Sequence, residues 1–114
     1  MDVQIFGTRK CRDTQKAQRF FKERRVKIHM VDLDQRPASA GELRRFAQKF
    51  GPEALLDREG KRFRDRGLHV AQLHDSRILP LLEEDPHLIR TPLVRAGKRL
   101  SIGNAPEEWA AMLE

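Results

Sequence analysis

The feature that most narrows the fold is a change of hydrophobic period within the first 33 residues. Val3-Gln4-Ile5-Phe6 alternates apolar and polar residues up to Gly7. A helical pattern then runs from Asp13 or Thr14 to about Arg24, with Ala17, Phe20 and Phe21 on one face. Val26 to Leu33 alternates again. Strand, helix and strand in so short a stretch make a βαβ unit, which requires the two strands to be parallel and places them as neighbours in one sheet. Cys11 falls in the connection between the first strand and the helix.

The middle of the chain turns helical. Ser39 with Glu42 three residues later is a capping-box pattern, and Leu43, Phe46 and Ala47 continue an apolar face until Gly51-Pro52. Leu55-Leu56 reads as a brief helical turn, and the charged stretch from Asp57 to Gly67 as an exposed loop. Val70, Leu73, Ile78, Leu81 and Leu82 give a further helical stretch ending at Glu83-Glu84-Asp85-Pro86. Pro80 is better suited to the first turn of a new helix than to a helix interior. The tail returns to sheet: Pro92–Arg95, a turn at Ala96-Gly97, and Lys98–Ile102 form a hairpin, and Glu107–Leu113 a last helix burying Trp109 with Met112 or Leu113. The resulting order, βαβ then an all-helical insert then ββα, is an α/β class with a mixed four-stranded sheet.

A chain of 114 residues supports one domain around a single core. No apolar run reaches membrane-spanning length, and no basic segment followed by a long apolar one opens the chain, so a cytoplasmic location is expected. The net charge of +6 invites a nucleic-acid reading. Lys and Arg are interleaved with Asp and Glu, however, and no run of aromatics lies among them to stack on bases. A solvated, arginine-rich surface is the expectation, with no direct nucleic-acid binding. His69 and His74 are five apart, and His29 lies in a strand with Asp32 three residues on, so no metal site is expected.

The lone cysteine excludes an internal disulfide and any multi-cysteine metal site within one chain. A lone cysteine is often inert filler. At the start of a helix, beside Arg9, Lys10 and Arg12, it meets instead the conditions that favour a thiolate nucleophile. The hydroxyls of Thr8 and Thr14 are candidates to donate to the sulfur or to a bound anion. Asp13 reads as the helix N-cap.

This order of elements, with a cysteine after the first strand and a proline opening the third, resembles the thioredoxin fold. The helical insert resembles the arsenate reductase (ArsC) and Spx-like branch of it. The likeness is carried by Ile5–Cys11 with Ala17, by Leu55-Leu56-Asp57 to Gly67-Leu68, and by Leu88–Val94 through Ile102-Gly103. It implies one ArsC-like domain over residues 1–114, with thioredoxin-like halves at 1–35 and 88–114 and a helical insert at 36–87. It also implies that Cys11 is the nucleophile, that Pro92 is cis and faces it, and that glutathione or a glutaredoxin supplies reducing equivalents. Thr91 would offer its main chain to glutathione, and Arg90 or Arg95 a clamp for its carboxylate.

The chain departs from the arsenate-binding pattern of that family. Thr91 stands where the resemblance leads one to expect an arginine before the proline. Arg90 is one place too early, which on alternating strand geometry turns it to the other face. Asn104 replaces a second guanidinium, and Asp57 a third, with Arg58 adjacent. Arsenate recognition relies on bidentate planar donors, so arsenate reduction is not the expected activity. Spx-like members carry a Cys-x-x-Cys pair, but position 14 is Thr14, so no internal disulfide switch can form. Three readings follow: a glutathione-linked thiol oxidoreductase built on Cys11, a non-enzymatic module docking on RNA polymerase as Spx-like proteins do, or a degenerate member whose thiol is structural.

Overall fold

The computed structural model describes all 114 residues. Five helices and four strands follow the chain: β1 (Asp2–Gly7), α1 (Arg12–Glu23), β2 (Lys27–Asp32), α2 (Ala40–Phe50), α3 (Lys61–Asp65), α4 (Asp75–Glu84), β3 (Leu93–Ala96), β4 (Arg99–Ile102) and α5 (Pro106–Met112). Short 3₁₀ turns at Pro52–Leu55, Leu68–Val70 and Pro86–Leu88 complete the connections. The chain separates into two compact units, residues 1–36 with 91–114, and residues 37–90.

The first unit is an α/β layer. Its sheet has the order β2-β1-β3-β4. β1 and β2 are parallel, with Asp2 opposite Lys27 and Gly7 opposite Asp32. β3 runs antiparallel to β1, and β4 antiparallel to β3. Period-2 alternation sends Val3, Ile5, Val94 and Ala96 to one face, where Ala17 and Phe21 of α1 and Trp109 and Met112 of α5 close a core. Phe20 meets Phe21 edge-on at 5.1 Å, and Trp109 donates its indole N–H to Ser101 Oγ at 3.2 Å, which pairs the one polar atom that this aromatic group buries. The hairpin turn lies at Gly97-Lys98, one residue later than expected, because Gly97 takes φ 61°, a conformation that glycine adopts without steric cost.

The second unit is helical. Leu43 and Phe46 of α2, Ile78 and Leu82 of α4, and Leu55 and Leu88 of the 3₁₀ turns are all buried. The capping box forms as the sequence predicts: Glu42 N–H donates to Ser39 Oγ at 3.2 Å, and Ser39 N–H to Glu42 Oε1 at 2.9 Å. Two expectations are corrected here. The charged stretch 57–67 is not wholly an exposed loop, because α3 forms inside it: Phe63 is buried, and Arg62 and Arg66 both reach the buried carboxylate of Asp85. Pro80 lies inside α4 rather than at its start. The helix begins at Asp75, and the proline ring points to solvent on the exposed side. No helix is long and apolar enough to cross a membrane.

Candidate active site around Cys11

Cys11 is itself the N-cap of α1, at φ −75° and ψ 117°, and no side chain caps this helix. The expectation that Asp13 fills that role is therefore corrected. Asp13 sits in the first turn, 3.8 Å from Lys16. The helix starts one or two residues earlier than its apolar periodicity suggests because the turn before it is stitched from both sides. Cys11 N–H donates to the Thr8 carbonyl at 3.2 Å, and Gln15 N–H to the Cys11 carbonyl at 3.0 Å. Gln15 Nε2 also donates to the Arg9 carbonyl at 2.5 Å, and the Arg9 side chain reaches back to Asp32 at the end of β2, 3.5 Å away. Three hydrogen bonds and an exposed ion pair thus tie the segment from β1 to α1.

Gly7 makes this turn possible by its lack of a side chain. A Cβ placed there would lie 2.3 Å from Thr14 Oγ1 and 2.6 Å from its methyl group. Thr14 is fully buried, and its hydroxyl has no hydrogen-bond partner. It packs over the glycine as a spacer between β1 and the first turn of α1, and it makes no hydrogen bond to the sulfur.

The sulfur is half-buried and has one neighbour of consequence, Thr91. The Thr91 hydroxyl donates to Cys11 Sγ at 3.0 Å, and the thiol faces the Thr91 carbonyl at 3.8 Å. Both protonation states therefore have a partner: the thiol can donate to the carbonyl, and the thiolate can accept from the hydroxyl. The Thr91–Pro92 bond is cis, Pro92 is buried, and its carbonyl accepts from Gly103 N–H at 2.9 Å. This side-chain role for Thr91 was not legible beforehand, since only its main chain was singled out.

The other candidates divide between the two units. Thr8 supplies its carbonyl to the turn. Lys10 and Arg12 are exposed and unpaired, flanking the cysteine, and Asn104 is exposed just after Gly103. Arg9 is committed to Asp32. Arg58 and Arg90 belong to the helical unit and line one groove of about 300 Å³ with Glu53 and Asp57. Arg58 is 3.6 Å from Glu53, and Arg90 N–H is held by the Leu55 carbonyl at 2.7 Å. No arginine forms a hydrogen bond with the sulfur, and no three His, Cys, Asp or Glu side chains gather in a way that could hold a metal ion.

A cysteine at the mouth of a helix after β1, facing a cis-proline that opens β3 in a β2-β1-β3-β4 sheet, is a thioredoxin-like arrangement. The ArsC family model matches residues 6–112. The chain belongs to the ArsC family. Within this family it is similar to the global transcriptional regulator Spx 2 of Oceanobacillus iheyensis, 26% identical over 90% of this chain and 77% of the relative. Among solved structures it is similar to the YFFB protein, with a TM-score of 0.88 and 26% identity, covering 98% of this chain and 99% of that one. An arsenate reductase from Vibrio cholerae shares the fold at a TM-score of 0.83 and 22% identity, with 98% of each chain covered. The ArsC and Spx-like likeness and the thioredoxin-like fold read from the sequence thus hold.

Proposed function

We propose that this ArsC-family protein carries out thiol–disulfide exchange with glutathione through Cys11, and that it does not reduce arsenate. The observation that carries this reading is the Cys11–Thr91 pair: a partly open sulfur with a hydroxyl donor 3.0 Å away and no guanidinium on it. In the exchange, the Cys11 thiolate attacks one sulfur of oxidised glutathione. The glutathione disulfide breaks, a Cys11–glutathione mixed disulfide forms, and the second glutathione leaves as a thiolate that takes a proton from water. With Thr14 fully buried and no second cysteine, the mixed disulfide cannot be resolved internally, so an outside thiol such as a glutaredoxin completes the cycle. Arsenate would need bidentate donors on its dianion, and the hydroxyl of Thr91 is a single donor.

The test is intact-protein mass after incubation with oxidised glutathione. One glutathionyl adduct is expected on the native protein, none on Cys11→Ser, with removal by glutaredoxin and reduced glutathione. A native protein that takes up no adduct, while the unfolded chain does, would leave only a structural thiol and overturn the reading.

A second reading is favoured by the similarity to Spx proteins, which are named as global transcriptional regulators. In it, the protein docks on RNA polymerase independently of thiol chemistry, through the helical unit and its arginines between Arg58 and Arg66. Co-purification with polymerase that survives Cys11→Ser and is lost on Arg58→Glu supports it; no co-purification excludes it.

A further inference from the structure

The sequence interleaves its cations with acids, and the fold undoes that interleaving at one end of the sheet. β1 and β2 are parallel and β3 returns antiparallel. The starts of β1 and β2 and the β3–β4 turn therefore share one end, opposite the end at which β1 delivers Cys11. Two basic clusters distant in sequence lie at that end: Arg24, Arg25 and Lys27 from the end of α1 into β2, and Arg95, Lys98 and Arg99 on the hairpin. All are exposed except Arg95, which is half-buried. The acids at this end are Asp2, Glu23 and, after α5, Glu114. Asp2 is already paired with His29 Nε2 at 3.1 Å.

Several of these cations are held rather than loose. Arg24 donates to the Phe20 carbonyl at 2.9 Å, and its guanidinium lies 3.6 Å over the Phe20 ring. Arg95 Nε donates to the Gly97 carbonyl at 3.1 Å. Arg25 sits at φ 59°, in the left-handed region that favours glycine, yet the chain has a guanidinium there. Beside Arg95 lies an open groove of about 400 Å³, lined also by Asp2, Val3, Gln4, His29 and Gly97.

One cation of each cluster starts an edge strand, Lys27 on β2 and Arg99 on β4. Three strand spacings separate them, about 14 Å. That span suits the two phosphate chains that flank a duplex groove about 12 Å wide. A protein partner would look for aromatic or aliphatic anchors, and Met1 is the only exposed large apolar residue at this end. A single strand would look for exposed aromatic stacking platforms, and the rim has none.

We propose that this rim binds the sugar-phosphate backbone of a nucleic-acid duplex without reading its sequence. The inference is independent of Cys11, which lies at the other end of the same sheet. Anisotropy of a short fluorescein-labelled DNA duplex titrated with the full chain tests it. With about four phosphates neutralised, doubling the salt should weaken binding about twelvefold. Lys98→Glu with Arg99→Glu should weaken it about tenfold or more, and the milder Lys98→Gln with Arg99→Gln by less but with a shallower salt slope. Arg44→Glu with Arg45→Glu on α2 changes the net charge equally and should shift affinity by less than about twofold if the rim is the site. Cys11→Ser should bind as the wild type does. The proposal is overturned if the α2 pair weakens binding as much as the hairpin pair, if Cys11→Ser abolishes it, or if polyglutamate binds more tightly than the duplex at matched salt.

Discussion

The geometry at Gly7 makes a strong prediction about how Cys11 is aimed. In Gly7→Ala the new methyl would lie 2.3 Å from Thr14 Oγ1, 2.6 Å from its Cγ2 and 3.0 Å from its Cβ. Thr14 is buried and its Cβ itself would stand 3.0 Å away, so a rotamer change alone does not clear the space and β1 or the first turn of α1 must shift. Overpacking of this kind costs about 3 kcal/mol. In a chain of this size that lowers the midpoint of thermal unfolding by roughly 10 °C. Thr14→Ala alone should be nearly neutral, because the lost methyl contact, about 1 kcal/mol, is offset by removing a buried hydroxyl that has no partner. Gly7→Ala combined with Thr14→Ala leaves only the 3.0 Å contact with Cβ, so the double variant should recover about 2 kcal/mol relative to additivity. Calorimetry of the four proteins measures the coupling, and the alkylation rate of Cys11 in each reports whether the turn has moved. Additive effects, or a Gly7→Ala protein as stable as the parent, would refute the spacer role of Thr14.

Thr91→Val removes the hydroxyl that donates to Cys11 and keeps the shape. At about 1 kcal/mol for this hydrogen bond, alkylation of Cys11 by iodoacetamide at pH 7 should slow, by no more than about fivefold. An unchanged alkylation rate would mean that the 3.0 Å contact has no chemical effect. In the helical unit, burial works to raise the Asp85 carboxyl, but hydrogen bonds and charge from Arg62 and Arg66 outweigh it and hold it below the ordinary carboxylate range. A depressed group contributes stability above its unfolded value and loses it as the pH falls, so the protein should be progressively destabilised below about pH 4. Asp85→Asn should cost about 1–2 kcal/mol near pH 7 and flatten that acid limb in denaturant titrations; an unchanged limb would show that other carboxylates govern it.

Local physics made the strands, the Ser39 capping box and α5 legible, because each rests on period, capping chemistry or turn residues within a few positions. What escaped was set by tertiary partners. The stretch 57–67 looks like loop from its charge, yet one apolar side chain, Phe63, and one distant carboxylate, Asp85, suffice to fold α3 within it. Cys11 was placed near the helix start by pattern. That it is the cap itself depends on Gln15, Arg9 and Asp32, whose pairing joins the end of one strand to the turn after another. Thr91 is separated from Cys11 by 80 residues, and no period in either segment encodes that a hydroxyl will meet the sulfur.

The basic residues around Cys11 therefore have a smaller role than their proximity in sequence suggests. Arg9 is spent on Asp32, and Lys10 and Arg12 are in water, where each charge is screened and contributes little. What the sulfur contacts is uncharged: the Thr91 hydroxyl and carbonyl. Such a site offers the sulfur a hydrogen bond without a guanidinium clamp. That suits a disulfide, whose sulfurs are neutral and whose leaving group departs into solvent. It suits a tetrahedral dianion poorly, because a dianion demands compensating charge at the point of attack. On the proposed reading, the Thr91 hydroxyl at the sulfur, with no guanidinium beside it, suits exchange between sulfurs better than oxyanion reduction.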